Sequence, residues 1–324
     1  MNATHDSEPT PEFYAHCNQV FERWENGDLP FKDALDQLTA LGYEAQRSGH
    51  LANQGRAELL LGILQGYRAN LDASISHFER ARDLFERAGN RRRAVGCILN
   101  LGESYRLKGY FSRARQLFRT AFDSAKELGA VDTQTIAATN EGQMLMSMDH
   151  LDSARATLEK AFQLAAQITD RPDQRVQLLC ETQSCLALVH LRLKDYDQAW
   201  IYLFAALKIA QEIKQPLHLG LTYRALGEIL STVGSLPPGA DVSLSSDPDE
   251  HFRASSEAFR SIKAEGEAAR TLYLHALSLS ARGHGMTAAR KLQQAMLIFT
   301  RLGMADDAAK ATRAQMDVLA STGK

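Results

Sequence analysis

Gly62, Gly102 and Gly142 stand forty residues apart. Twelve residues after each comes a second small residue, Ser74, Ala114 or Ala154, and seven further on a third, Ala81, Ala121 or Ala161. A fixed period of this length belongs to a stacked repeat, in which each unit buries its apolar face only against its neighbours. The functional question then becomes which surface binds, rather than which residues react.

The second repeat shows the pattern best. A helix is predicted over about Arg92–Leu107, a turn at Lys108-Gly109-Tyr110, and a second helix over about Phe111–Leu128. In the second helix Ala114, Leu117, Phe118, Ala121, Phe122 and Ala125 recur at three- and four-residue spacing, which places them on one face. Gly129 suits the left-handed position that ends a helix, and Gly89 and Gly49 repeat that role at forty-residue steps. The small residues are expected to let the two antiparallel helices approach, with Ala114 and Ala121 facing Gly102.

The register continues with shifts. Five extra residues near Arg171-Pro172 lead to Ala187, Ala199 and Ala206, and forty after Ala187 comes Gly227. The matching Ala258 then lies twelve residues late, which makes residues 235–247 an inserted, solvated surface loop. Asp247, Pro248 and Glu250 fit the N-cap, N1 and N3 positions of the following helix. Ala276, Ala288 and Ala295 form the last trio, and a capping helix is expected over about 305–319. At the front, about Glu12–Glu25 departs from the repeat, with Glu22 where Gly is expected, and reads as half of a degenerate capping pair. Residues 1–11 read as a disordered tail and residues 12–321 as one solenoid.

Small residues twelve and seven apart, with an aromatic three before the last (Phe78, Phe118), resemble the tetratricopeptide repeat in its 40-residue variant. Leu101-Gly102, Tyr105, Ala114, Phe118, Ala121 and Leu128-Gly129 carry the resemblance. Repeats of this type occur in kinesin light chain, in the Pins/LGN adaptors and in bacterial peptide-sensing Rap-type regulators. The expected fold is all-α, a right-handed α-solenoid of about seven antiparallel helix pairs with a C-terminal capping helix. The resemblance implies a binding scaffold whose first helices line a concave groove. The proline usual at the end of the second helix is missing throughout.

The formal net charge of −2 gives no global pull toward nucleic acid or membrane. Four cysteines are too few for a disulfide-stapled secreted domain, and residues 1–11 lack a signal-like apolar run, so the expectation is a cytoplasmic protein. No phosphate-binding glycine motif, HExxH or Cys-x-x-Cys is present, and no nucleophile–base pair stands out. No enzyme activity and no cofactor are expected. Cys180, Cys185 and His190 have a superficial metal spacing, but steps of five on a helix turn about 140° each and point them apart.

Asn100 and Asn140 share a repeat position two before the glycine. A side-chain amide both donates and accepts, which suits the backbone of an extended peptide. Glu103, Arg106, Thr139, Gln143, Arg224 and Glu228 are expected on or near the same groove. From Arg80 to Lys126 there are twelve Lys/Arg against four Asp/Glu. Arg91, Arg92 and Arg93 stand at a predicted helix N-terminus, where cations oppose the helix dipole. That placement suggests an anionic partner, or the acidic front of another subunit, since residues 1–60 hold ten Asp/Glu against four Lys/Arg. Local ion pairs to Asp83 and Glu86 are the simpler expectation. The patch lacks interleaved stacking aromatics beyond Tyr110 and Phe111, which argues against nucleic acid. The expected function is a non-enzymatic adaptor binding a protein or peptide. A Rap-type peptide sensor and a self-associating scaffold are the alternatives.

Overall fold

A computed structural model describes residues 7–25, 28–68, 70–241 and 243–322. Among these residues there are fifteen α-helices and no strand. In order they are α1 Pro11–Glu25, α2 Phe31–Ser48, α3 Leu51–Tyr67, α4 Leu71–Arg87, α5 Arg91–Leu107, α6 Phe111–Glu127, α7 Val131–Ser147 and α8 Leu151–Ala166. They continue with α9 Pro172–Arg192, α10 Tyr196–Ile213, α11 Pro216–Val233, α12 Pro248–Ser261, α13 Glu265–Ala281, α14 Gly285–Arg301 and α15 Ala305–Thr322. No helix among the described residues is long and apolar enough to cross a membrane. Two compact units are formed, one ending at Thr133 and the other starting at Gln134, in the first turn of α7.

In the first unit, α3 pairs with α4 and α5 with α6. The pair α1–α2 covers the outer side of α3. Cys17, Val20 and Trp24 of α1 are buried among Leu38, Leu60, Leu61 and Leu64, and the Phe21, Trp24 and Tyr67 rings meet edge to face or tilted. Glu22 is exposed, so its departure from the repeat pattern leaves no buried charge. In the second unit α9–α10, α11–α12 and α13–α14 are hairpins, and α15 packs on α14. Val318 of α15 joins the cluster of Ala276, Leu279, Ala288 and Leu292.

The periodic glycines face the large side chain three before the last small residue, Phe78 or Phe118 in two repeats and Leu158 in the third. A Cβ on Gly102 would lie 2.5 Å from the Phe118 ring, one on Gly62 2.6 Å from Phe78, and one on Gly142 2.6 Å from Leu158. Each glycine thus makes room for the large side chain sixteen residues later, rather than for the alanines. The alanines Ala114 and Ala121 are themselves fully buried. Where Ala187 replaces the glycine, Leu203 stands sixteen residues on, and both are buried in one cluster.

That rule also corrects the register at the insertion. A Cβ on Gly227 would meet Phe252, and one on Gly220 would meet Phe259. Phe252 and Phe259 match Phe78 and Phe85, which face Gly62 and Gly55. The third small residue is therefore Ser255, fully buried with its hydroxyl donating to the Gly220 carbonyl at 2.7 Å, and not the half-buried Ala258. A serine satisfied by a helix carbonyl packs as compactly as alanine and escapes a search for small apolar residues.

Nor is the inserted segment merely solvated. Leu236 and Leu244 pack against a cluster that includes Trp200, Leu203, Leu207, Leu226 and Ile229. The His251 ring donates from Nε2 to the Ser245 carbonyl at 2.8 Å. Asp247 caps α12 as expected, its carboxylate accepting from the Asp249 N–H at 2.9 Å, with Pro248 at N1.

Gly49, Gly89 and Gly129 all adopt positive φ at helix ends. Asp149, Lys194, Lys214 and Lys263 adopt the same left-handed conformation without being glycine.

Candidate functional site

In the second unit α9, α11, α13 and α15 touch one another in succession, whereas among the described residues no comparable succession links α10, α12 and α14. Elements that meet on one layer and splay on the other make a curved stack, with the first helices on its inner side. The seams between these helices, and between α7 and α9, are polar. Thr139 pairs with Thr182 at 3.1 Å, Ser184 with Thr222 at 3.2 Å, and Ser231 with Ser278 at 2.6 Å. Short hydroxyl side chains allow close approach and satisfy one another where water is excluded.

Charged residues of this layer are mostly paired. Arg224 donates to Glu267 at 2.6 Å, Arg270 also bonds Glu267, and Arg270 reaches Asp307 of α15 at 3.0 Å. Arg192 donates to the Met146 carbonyl at 2.6 Å and to Asp149 at 2.7 Å. Gln143 donates to Glu181 at 3.2 Å and to the Cys185 sulfur at 3.3 Å.

Glu228 is the exception. It follows Arg224 by one helical turn, so the two share a face of α11. It is half-buried, and its carboxylate makes no hydrogen bond or ion pair among the described residues. Burial pushes its pKa up to about 7, although Arg224 and Arg192 pull it down. Both guanidiniums are committed elsewhere, so neither closes on it. Leu188 of α9 and Leu277 of α13 hold the equivalent repeat position, and Leu277 is exposed. The layer therefore offers an unmatched carboxylate on one helix, with leucine at its register on the helices either side.

The other residues expected in a groove divide. Asn140 and Gln143 belong to the second unit, and the Asn140 amide is half-buried with no hydrogen bond among the described residues. Thr139 is not on an open face: it is 1% exposed and occupied by Thr182. In the first unit the Asn100 amide is likewise half-buried and free of hydrogen bonds among the described residues. Glu103 and Arg106 form a two-point ion pair at 2.6 and 2.7 Å.

The arginine triplet meets its charges inside the chain. Arg91 pairs with Glu127 at 2.9 Å, Arg92 grips both oxygens of Asp132 at 2.8 and 3.0 Å, and Arg93 donates to Glu8 at 2.7 Å. The local partners expected from sequence are engaged elsewhere, Asp83 by Arg87 and Glu86 by Arg82. Sequence reasoning missed Glu8, Arg192 and Glu267 because each comes from another repeat or from outside the repeats.

Cys180 donates to the Ala206 carbonyl at 3.4 Å and His190 bonds Asp195 at 3.1 Å, so with Cys185 on Gln143 the three face different partners. Burial pushes the Cys17 and Cys97 thiols up to about 12 and Cys180 to about 11. Among the described residues no group of three or more His, Cys, Asp and Glu could hold a metal ion.

No family model matches the chain, and no curated protein matches it. Solved structures do. The apo form of RapI superposes with a TM-score of 0.66 at 13% identity, over 90% of this chain and 98% of that one. A Rap protein complexed with competence and sporulation factor gives 0.62 at 14%, over 97% and 88%. The apo quorum sensor NprR from B. thuringiensis gives 0.57 at 11%, over 95% and 86%. At such identities the likeness is one of fold. This chain has the all-α, tetratricopeptide-like repeat fold that its sequence resembles.

Proposed function

We propose that this chain is a non-enzymatic adaptor that binds a peptide or protein segment along the first helices of its second unit. The observation that carries the reading is Glu228. On a layer whose charges are mostly paired, a half-buried carboxylate with no donor among the described residues calls for a partner that supplies one. The ligand chemistry that fits is an extended segment with a Lys or Arg for Glu228 and apolar side chains for Leu188 and Leu277. A similar solved structure, the Rap conjugation gene regulator of the plasmid pLS20, is in complex with the Phr* peptide, which supports a peptide ligand on this fold. Arg224 frames the site, and the unbonded amides of Asn140 and, in the first unit, Asn100 are backbone-holding points of the same kind, with Gln143, Glu103 and Arg106 beside them in sequence.

The test is affinity capture with the native chain and a Glu228→Arg variant, followed by calorimetry with the best ligand. The expected result is at least tenfold weaker binding to the variant, matched by a similar loss when the ligand's basic residue is changed to Ala. Equal affinity of both chains for every captured ligand would overturn the reading.

A further inference from the structure

The non-helical segment of residues 7–10, which sequence places in a tail, is held by side chains of α3 and α5. Residues 1–6 of that tail lie outside the described residues. The Thr10 N–H donates to Asn53 Oδ1 at 2.8 Å, and Asn53 Nδ2 lies 3.5 Å from Thr10 Oγ1. Asn90 Nδ2 donates to the Ser7 carbonyl at 2.8 Å and to Glu8 Oε1 at 2.9 Å. Arg93 Nε donates to Glu8 Oε2 at 2.7 Å. Asn53 and Asn90 are 7% and 6% exposed. Two buried amides thus read a backbone N–H and a backbone carbonyl, and a guanidinium reads a carboxylate. This is peptide recognition carried out on the chain's own residues.

The surface also has more positive charge than Glu8 answers. Arg56 and Arg93 lie over the Tyr14 ring, with 4.5 and 5.4 Å from guanidinium carbon to ring centroid. Glu8 is the one carboxylate that pairs with either among the described residues. Arg56 bonds Asn18, and its Nε is buried with no hydrogen-bond partner. The nearby Cys17 thiol stays neutral, since burial raises its pKa to about 12.

We propose that the surface formed by Asn53, Asn90, Arg93 and Arg56 is a docking site for an acidic peptide segment, and that residues 7–10 are its tethered, displaceable occupant. A short tether keeps its own segment at an effective concentration of order millimolar, so a partner must outcompete it or the tether must be weakened first. Glu8 is 61% exposed on its side chain, so a change there can turn to solvent without disturbing the fold.

The probe is a fluorescent peptide of residues 5–12, read by anisotropy against the full chain. The native chain should bind it weakly. Glu8→Arg, which places like charge beside Arg93, should release the segment and tighten peptide binding at least tenfold. Adding Arg93→Glu to that variant should reverse the gain, because the swapped charges reclose the segment and repel the peptide. Binding to Glu8→Arg should weaken as salt is raised. Glu8→Gln provides a milder release if the first variant melts early. Peptide binding no stronger in Glu8→Arg and Glu8→Gln than in the native chain would overturn the proposal and make the segment a structural strut.

Discussion

Replacing Glu228 by Gln should make the chain more stable at pH 8 and change it much less at pH 5. The glutamate carboxyl has an ordinary pKa of 4.5 and reaches about 7 in the folded chain, because burial disfavours the charged form and no donor compensates. The folded state therefore holds this proton more tightly than the unfolded state. Between about pH 4.5 and 7 folding takes up a proton, and stability falls as pH rises. Above about pH 7 the full penalty of the buried charge is present, and below about 4.5 it is absent. A shift of this size corresponds to at most about 3 kcal/mol, and partial exposure to solvent reduces it to roughly 1–3 kcal/mol. Glutamine keeps the shape of the side chain and removes the titration. Urea unfolding of native and variant chains at pH 5 and pH 8 isolates the difference, since every other group titrates alike in both. Parallel stabilities at the two pH values, or a variant less stable at pH 8, would show that Glu228 is solvated or paired in solution.

Gly102→Ala should destabilise the chain by about 1–3 kcal/mol in chemical unfolding, because the added methyl would lie 2.5 Å from the Phe118 ring. The opposite result would mean that Phe118 can turn aside. Lys194→Gly should stabilise by about 0.5–1 kcal/mol by relieving the left-handed backbone at φ 64°, which differential scanning can detect. Removing residues 236–246 should lower the melting temperature, since Leu236 and Leu244 cover the Trp200 and Leu203 cluster; an unchanged melt would return the segment to solvent. The buried thiols of Cys17, Cys97 and Cys180 should resist a thiol reagent at pH 8 in the native chain and react on unfolding.

The forty-residue period, the helix ends and the helical class were legible along the chain because each is a local matter. A glycine at a helix end needs only its own positive φ, and Asp247 caps α12 with an N–H two residues away. Small residues recurring at fixed steps report the packing of adjacent helices, which repeats as the sequence repeats. Tertiary structure decided what depends on residues far apart. Phe252 and Ser255 set the register after the insertion because they meet Gly227 and Gly220 across a hairpin of variable length. Arg91, Arg92 and Arg93 look alike in sequence but take Glu127, Asp132 and Glu8, which come from three different places in the chain. Glu228 could be assigned to a helix face by counting, but not its missing donor. That follows from Arg224 and Arg192 being drawn to Glu267 and Asp149. Charges choose among all partners within reach, and only the folded chain determines which partners those are.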